Sequence, residues 1–235
     1  MQIIFLGTGY AFSTKTRSNI SVLLPDEGIL LDCPPDILHK LQKIDYDISK
    51  LKYIMISHTH GDHILGLPFL FMYSKYIQKL SVKIIGVKGL RNHILSITDL
   101  IYPDSSTEFN SEFQTIELST GEHIIDKIKL YVKETEHSVP NLSYRIEHDD
   151  KIITYSGDTY SDISELATDS DILIHEAALP HRNSKVHCNI DEAIETFEKS
   201  KSKKLALVHV YPEIHKDFKK NKNVFIPNDL DTINI

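Results

Sequence analysis

The sequence predicts an α/β protein in which two layers of β-sheet are covered by helices, and two observations carry that expectation. Short apolar runs of strand character recur along most of the chain, and stretches with helical spacing fall between some of them. Two of the runs, joined through Asp149-Asp150, pair as a hairpin would.

The predicted strands, in order, are 3–6, 20–24, 29–31, 52–57, 82–87, 129–132, 142–147, 151–155, 171–175 and 204–208. The predicted helices are 36–43, 67–78, 90–101, 161–167 and 190–199. The last is the best defined: Asn189 is its N-cap, Glu192 completes a capping box, and Ile190, Ala193, Ile194 and Phe197 form one apolar face. The stretch around 67–76 is apolar on several sides, which suits core packing, a pocket mouth or a homodimer face.

The 235 residues contain no low-complexity segment or Pro/Gly/Ser-rich linker, so 1–235 reads as one domain. With 26 basic against 33 acidic side chains the net charge is −7, which argues against a broad basic face for non-specific nucleic-acid binding. Basic stretches at 199–204 and 216–222 are read as solvated surface. The N-terminus runs directly into a strand and Gly7-Thr8-Gly9 rather than a signal peptide, and no apolar run reaches the ~18 residues of a membrane helix. Cys33 and Cys188 are therefore expected as free thiols in a cytoplasmic protein that does not engage a membrane.

The chemistry concentrates in His58-Thr59-His60-Gly61-Asp62-His63. Three histidines and an aspartate on a tight loop after a buried strand are expensive to desolvate unless a metal offsets the cost. His137, Asp158 and His209 likewise stand at or just past the ends of predicted strands. Rigid strand ends aimed at one rim fix a ligand set, and imidazole with carboxylate suits Zn²⁺.

This pattern, His-x-His-x-Asp-His followed by separated His, Asp and His, resembles the metallo-β-lactamase superfamily. The order of Gly7-Thr8-Gly9, Leu31-Asp32, Ser156-Gly157-Asp158-Thr159, His175-Glu176-Ala177 and Leu207-Val208-His209 resembles its ribonuclease Z-like branch. The resemblance implies a four-layer αββα sandwich. It also implies His58, His60 and His137 on one zinc, Asp62, His63 and His209 on the other, and Asp158 bridging together with a hydroxide. Manganese or iron are substitutes for zinc, although retention of His60 speaks against a redox di-iron centre.

Such a centre carries a small net positive charge and favours an anionic substrate, so a phosphodiester of a small molecule or single strand is the leading expectation. His187 resembles the branch's proton donor to the leaving oxygen, with Glu176 as its partner; Asp62, His187 and Glu176 form the expected catalytic set. Asp32 is expected to orient a ligating histidine. Gly7 and Gly9 are expected to relax the backbone near the site.

The chain departs from the branch at Pro34-Pro35, at Cys188-Asn189 in place of Ser-Thr, and at Tyr211-Pro212 in place of a Ser-Arg-Tyr element. The interval from His137 to Asp158 holds one predicted hairpin, where transfer-RNA-processing members carry a long substrate arm. Lactone, thioester or other acyl hydrolysis is the alternative activity. Transfer-RNA 3′-end cleavage and a non-catalytic zinc-binding module rank below it.

Overall fold

The computed structural model describes residues 1–105, 108, 113–179, 185–211, 218 and 222–235. Most of the basic stretch at 216–222, and Pro212, lie outside them.

Two seven-stranded sheets face each other. The first contains β1 (Gln2–Gly7), β2 (Ser21–Leu24), β3 (Ile29–Leu31), β4 (Tyr53–Met55), β5 (Lys83–Val87), β6 (Gln114–Leu118) and β14 (Thr232–Asn234). Its order is β14-β1-β2-β3-β4-β5-β6. The second contains β7 (Gly121–Ile125), β8 (Ile128–Thr135), β9 (Asn141–His148), β10 (Lys151–Tyr155), β11 (Ile172–Glu176), β12 (Leu205–Val208) and β13 (Val224–Phe225). These lie in the reverse of the order β7 to β13. With helices outside, this is the expected αββα sandwich of the metallo-β-lactamase fold.

Strands β3 to β6 pair in parallel, which requires crossover connections, and helices supply them. These are α1 (Ile37–Lys43), α2 (Gly61–Ile64) with α3 (Gly66–Tyr76), and α4 (Leu90–Ile101). The apolar stretch on α3 is divided: Leu67, Leu70 and Phe71 are buried in the core, whereas Phe69 and Tyr76 are exposed.

The second sheet has two apolar faces, and strand alternation assigns them. Ile172, Ile174, Ala206 and Val208 join the core between the sheets, which also holds Phe5, Leu30, Ile54, Leu130 and Tyr144. Their neighbours Leu173, Leu205 and Leu207 point the other way, against Ala193 and Phe197 of α5 (Ile190–Ser200). The expected capping box is present: Asn189 Oδ1 accepts from Glu192 N at 3.0 Å and Glu192 Oε2 from Asn189 N at 3.0 Å.

The β9–β10 hairpin forms through Asp149 and Asp150, whose φ angles of 47° and 58° are the left-handed pair that a type I′ turn requires. The helix expected over 161–167 does not form; the segment is a succession of turns. Side chains intercept the backbone donors there. Thr159 Oγ1 accepts from Ser161 N at 2.9 Å and Asp162 Oδ1 from Ser164 N at 2.8 Å, a local alternative to helix that Ser, Thr and Asp offer.

Strands β1, β3 and β4 run in one direction in the first sheet, and β8, β10, β11 and β12 share a direction in the second. The ends of these seven strands converge on one rim, which collects His58, His60, Asp62, His63, His137, Asp158, Glu176, His187 and His209.

Candidate metal centre

His58 follows β4, and the turn of α2 carries Asp62 and His63 back over it. His137 follows β8, Asp158 follows β10 and His209 follows β12. His58 Nε2 lies 3.0 Å from His60 Nδ1, and His137 Nε2 lies 3.2 Å from that same atom. Ligands at about 2.0–2.1 Å around one tetrahedral zinc sit roughly 3.3 Å apart. Both distances are close to that spacing, and the three nitrogens all lie within 4.8 Å of one another.

Beside them, Asp62 Oδ2 is 3.3 Å from His63 Nε2 and 3.6 Å from His209 Nε2. Asp158 Oδ2 stands between the two groups, 3.3 Å from His209 Nε2, 3.5 Å from His63 Nε2 and 3.8 Å from His58 Nε2. The seven expected ligands therefore meet in one cluster.

His63 Nε2 and both ring nitrogens of His209 are buried without a hydrogen-bond partner. Each such group costs about 1–3 kcal/mol, a cost that a cation removes, and the nitrogen and carboxylate donors suit zinc. The ionisation pattern agrees. Burial alone would raise the Asp158 carboxyl, but His209, His63 and His58 hold it well below the usual carboxylate range. Burial alone would lower His63, yet Asp158 and Asp32 hold its imidazole well above the ordinary value. Without a metal, a proton on His63 balances these carboxylates; cation binding displaces it. The cluster is a divalent-metal site.

Backbone geometry aims the ligands. Asp32 and His209 adopt φ of 57° and 53°, a left-handed conformation that costs a non-glycine residue about 1 kcal/mol or more. Gly157 has φ 59°, and a Cβ there would run into the Asn141 side chain and Ser57 Cβ. That close approach brings the ends of β10 and β4 together. Gly7 serves the same need, since a Cβ would strike the Asn19 carbonyl and Lys40 Nζ.

Asp32 orients a histidine, as expected. Its Oδ2 lies 2.7 Å from His63 Nδ1 and also accepts from Ser57 Oγ at 2.9 Å and Tyr155 OH at 2.5 Å. Ser57 Oγ in turn lies 3.0 Å from His58 Nδ1, and the Val186 carbonyl lies 2.7 Å from His137 Nδ1. Each Nδ1–H is taken by an outer partner, which leaves Nε2 as the ligand atom. Ser57, Tyr155, Asn141 and the Val186 carbonyl were not anticipated. Only Ser57, directly before His58, carried any sequence signal.

His187 Nδ1 is 3.0 Å and 3.2 Å from the two oxygens of Glu176, and 3.9 Å from Asp158 Oδ2. Glu176 also accepts from Thr159 N at 2.6 Å and Ala178 N at 3.2 Å. Burial, then the Asp158 charge, push Glu176 well above the usual carboxyl range, while burial lowers His187. The pair stands at the edge of the metal cluster. The Cys188-Asn189 departure leaves this intact, because Asn189 caps α5 and the ring is held by Glu176.

The ribonuclease Z of Nanoarchaeum equitans is 27% identical, with 98% of this chain and 92% of that one covered. Their alignment spans 297 positions, more than the 235 residues here, so the relative carries residues without a counterpart. Human tRNase Z, short form, superposes with a TM-score of 0.82 at 24% identity, covering 100% and 99% of the two chains. A diphosphatase of the PhnP family superposes at 0.74 and 16% identity, covering 100% and 97%. The chain is thus a ribonuclease Z-like protein of the metallo-β-lactamase superfamily, with a divalent-metal site at the rim of its fold. Within that superfamily the family described as Anti-Pycsar protein Apyc1 matches residues 1–227, and this chain belongs to it.

Proposed function

We propose that the protein is a binuclear zinc phosphodiesterase acting on a small or single-stranded phosphodiester, with His187 as proton donor. The observation that carries this reading is the His187–Glu176 contact at 3.0 Å, placed beside seven converging donors. His58, His60 and His137 would hold one zinc, Asp62, His63 and His209 the second, and Asp158 would bridge. Metals bound there would supply a Lewis acid for a phosphoryl oxygen and a water that ionises near neutral pH.

The remaining work falls to the chain. Asp62 and Asp158 stay ionised and keep the centre from excess positive charge. Glu176 fixes the His187 ring through Nδ1, so proton transfer to the leaving oxygen runs through the imidazole. The interval from His137 to Asp158 contains only the short β9–β10 hairpin, which favours a substrate smaller than transfer RNA. The action against Pycsar named in the family description would, in this chain, be exercised by this centre on a phosphodiester bond.

The test is a panel of bis-(p-nitrophenyl) phosphate, 3′,5′-cyclic mononucleotides, single-stranded RNA, a transfer-RNA precursor, and lactone and thioester substrates, with zinc-loaded protein. Cleavage of the small phosphodiesters, lost in His187→Ala with metal retained, supports the proposal. Turnover of acyl substrates alone overturns it.

A further inference from the structure

Tyr10 and Phe12, just past β1, and Tyr211, just past β12, form an aromatic array against the metal centre. The Tyr10 ring is 5.0 Å from His209 and 5.7 Å from His187, and it also meets Phe12 at 6.2 Å and Tyr211 at 5.9 Å. Phe12 is 78% exposed and Tyr211 41% exposed, so core packing does not account for them. Leaving a phenylalanine in water forgoes about 1.5–3 kcal/mol of burial.

The array is held in place. Asn19 Nδ2 donates to the carbonyls of Tyr10 and Ala11 at 3.1 and 2.8 Å, and Asp229 ties down Thr8 and Ser18 on either side of the loop. Gly9 pairs with Val210, with Val210 N donating to the Thr8 carbonyl at 3.3 Å, so the loops bearing Tyr10 and Tyr211 are joined next to the ligand His209.

We infer that Tyr10, Phe12 and Tyr211 form a subsite that stacks the base of a nucleotide whose phosphate sits at the metal centre. An exposed aromatic shelf one ring contact from a phosphate site fits a ligand that is charged at one end and flat at the other, with a sugar between them. Every base offers a π-face, and in an acidic protein stacking supplies affinity that surface charge does not. The inference rests on the phosphodiesterase reading only in placing phosphate at the metals.

The experiment measures binding as well as turnover. Zinc-loaded protein is titrated calorimetrically with a nucleoside 5′-monophosphate and with ribose 5-phosphate. The nucleotide is expected to bind about five- to 150-fold more tightly, the range of one base–aromatic stack. Phe12→Ala and Tyr211→Ala should erase most of that preference, whereas Leu100→Ala, an exposed side chain on α4, should keep it. Equal affinity of the natural protein for both ligands, or a preference untouched in both aromatic variants, overturns the subsite. Absence of all phosphodiester turnover with the binding preference intact would instead overturn the phosphodiesterase reading and leave the subsite standing.

Discussion

The Asp32 carboxylate lies 2.7 Å from His63 Nδ1, and this contact decides which nitrogen of His63 faces the metal cluster. With Nδ1–H given to Asp32, the buried Nε2 presents its lone pair beside Asp62 and Asp158. The same carboxylate holds Ser57 and Tyr155, so one side chain at the end of β3 organises residues from β10 and the metal loop.

Asp32→Asn keeps the shape but loses the charge that fixes the imidazole. Outer-shell partners of this kind are worth about 10- to 100-fold in metal affinity. Competition with a fluorescent zinc chelator should show a loss in that range for the variant. Unchanged affinity would mean that the ligand loop alone orients His63.

Metal removal should destabilise the fold, because the donors come from strand ends in both sheets. A metal held at about a thousandfold over its dissociation constant contributes about 4 kcal/mol, and for a chain of this size each kcal/mol moves Tm by about 2–4 °C. Stripping with EDTA should therefore lower Tm by roughly 10 °C, restored by zinc. A melting curve indifferent to both would exclude a tightly held ion.

Glu176→Gln tests the His187–Glu176 pair apart from the metals. The glutamine still reaches His187 but cannot carry the charge that stabilises an imidazolium, so kcat should fall toward the His187→Ala value, about 10²- to 10⁴-fold below the natural protein. Metal content, read by mass spectrometry, should stay the same. Loss of metal along with activity would place Glu176, whose carboxylate lies within 4.8 Å of ring nitrogens of His187 and His209, among the ligands.

Much of this architecture was legible because apolar runs and ligands are sequence-local. β10 and α4 fall at the expected boundaries, and the spacing within 58–63 sufficed to mark the metal loop. What escaped is what only tertiary context defines. β6 and β7 are polar edge strands of different sheets, and β13 and β14 are too short to show a period. Tyr155 and Asn141 look like ordinary strand residues until folding sets Tyr155 OH on Asp32 and Asn141 between Thr135 and Ser156. The turns at 161–167 defeated a helical pattern because their Ser, Thr and Asp side chains bond to the local backbone.

His175 gives the protein a pH-dependent stability separate from the ligands. It is fully buried in β11, with Nδ1 at 2.7 Å from the Glu176 carbonyl and Nε2 without a partner, and burial holds its pKa down to about 4. The folded state thus excludes a proton that the unfolded chain binds below about 6.5. Its stabilising contribution is fully present above that value and is lost as pH falls through about 4, so stability rises with pH across this window. Between pH 7 and pH 5 the change is about 2 kcal/mol. The metal ligands also titrate, but they do so in both proteins when the natural chain is compared with His175→Leu. Urea unfolding at the two pH values, with EDTA present, should show a pH slope shallower by about 2 kcal/mol in the variant. Equal slopes would show that the buried imidazole does not take up a proton differentially on unfolding.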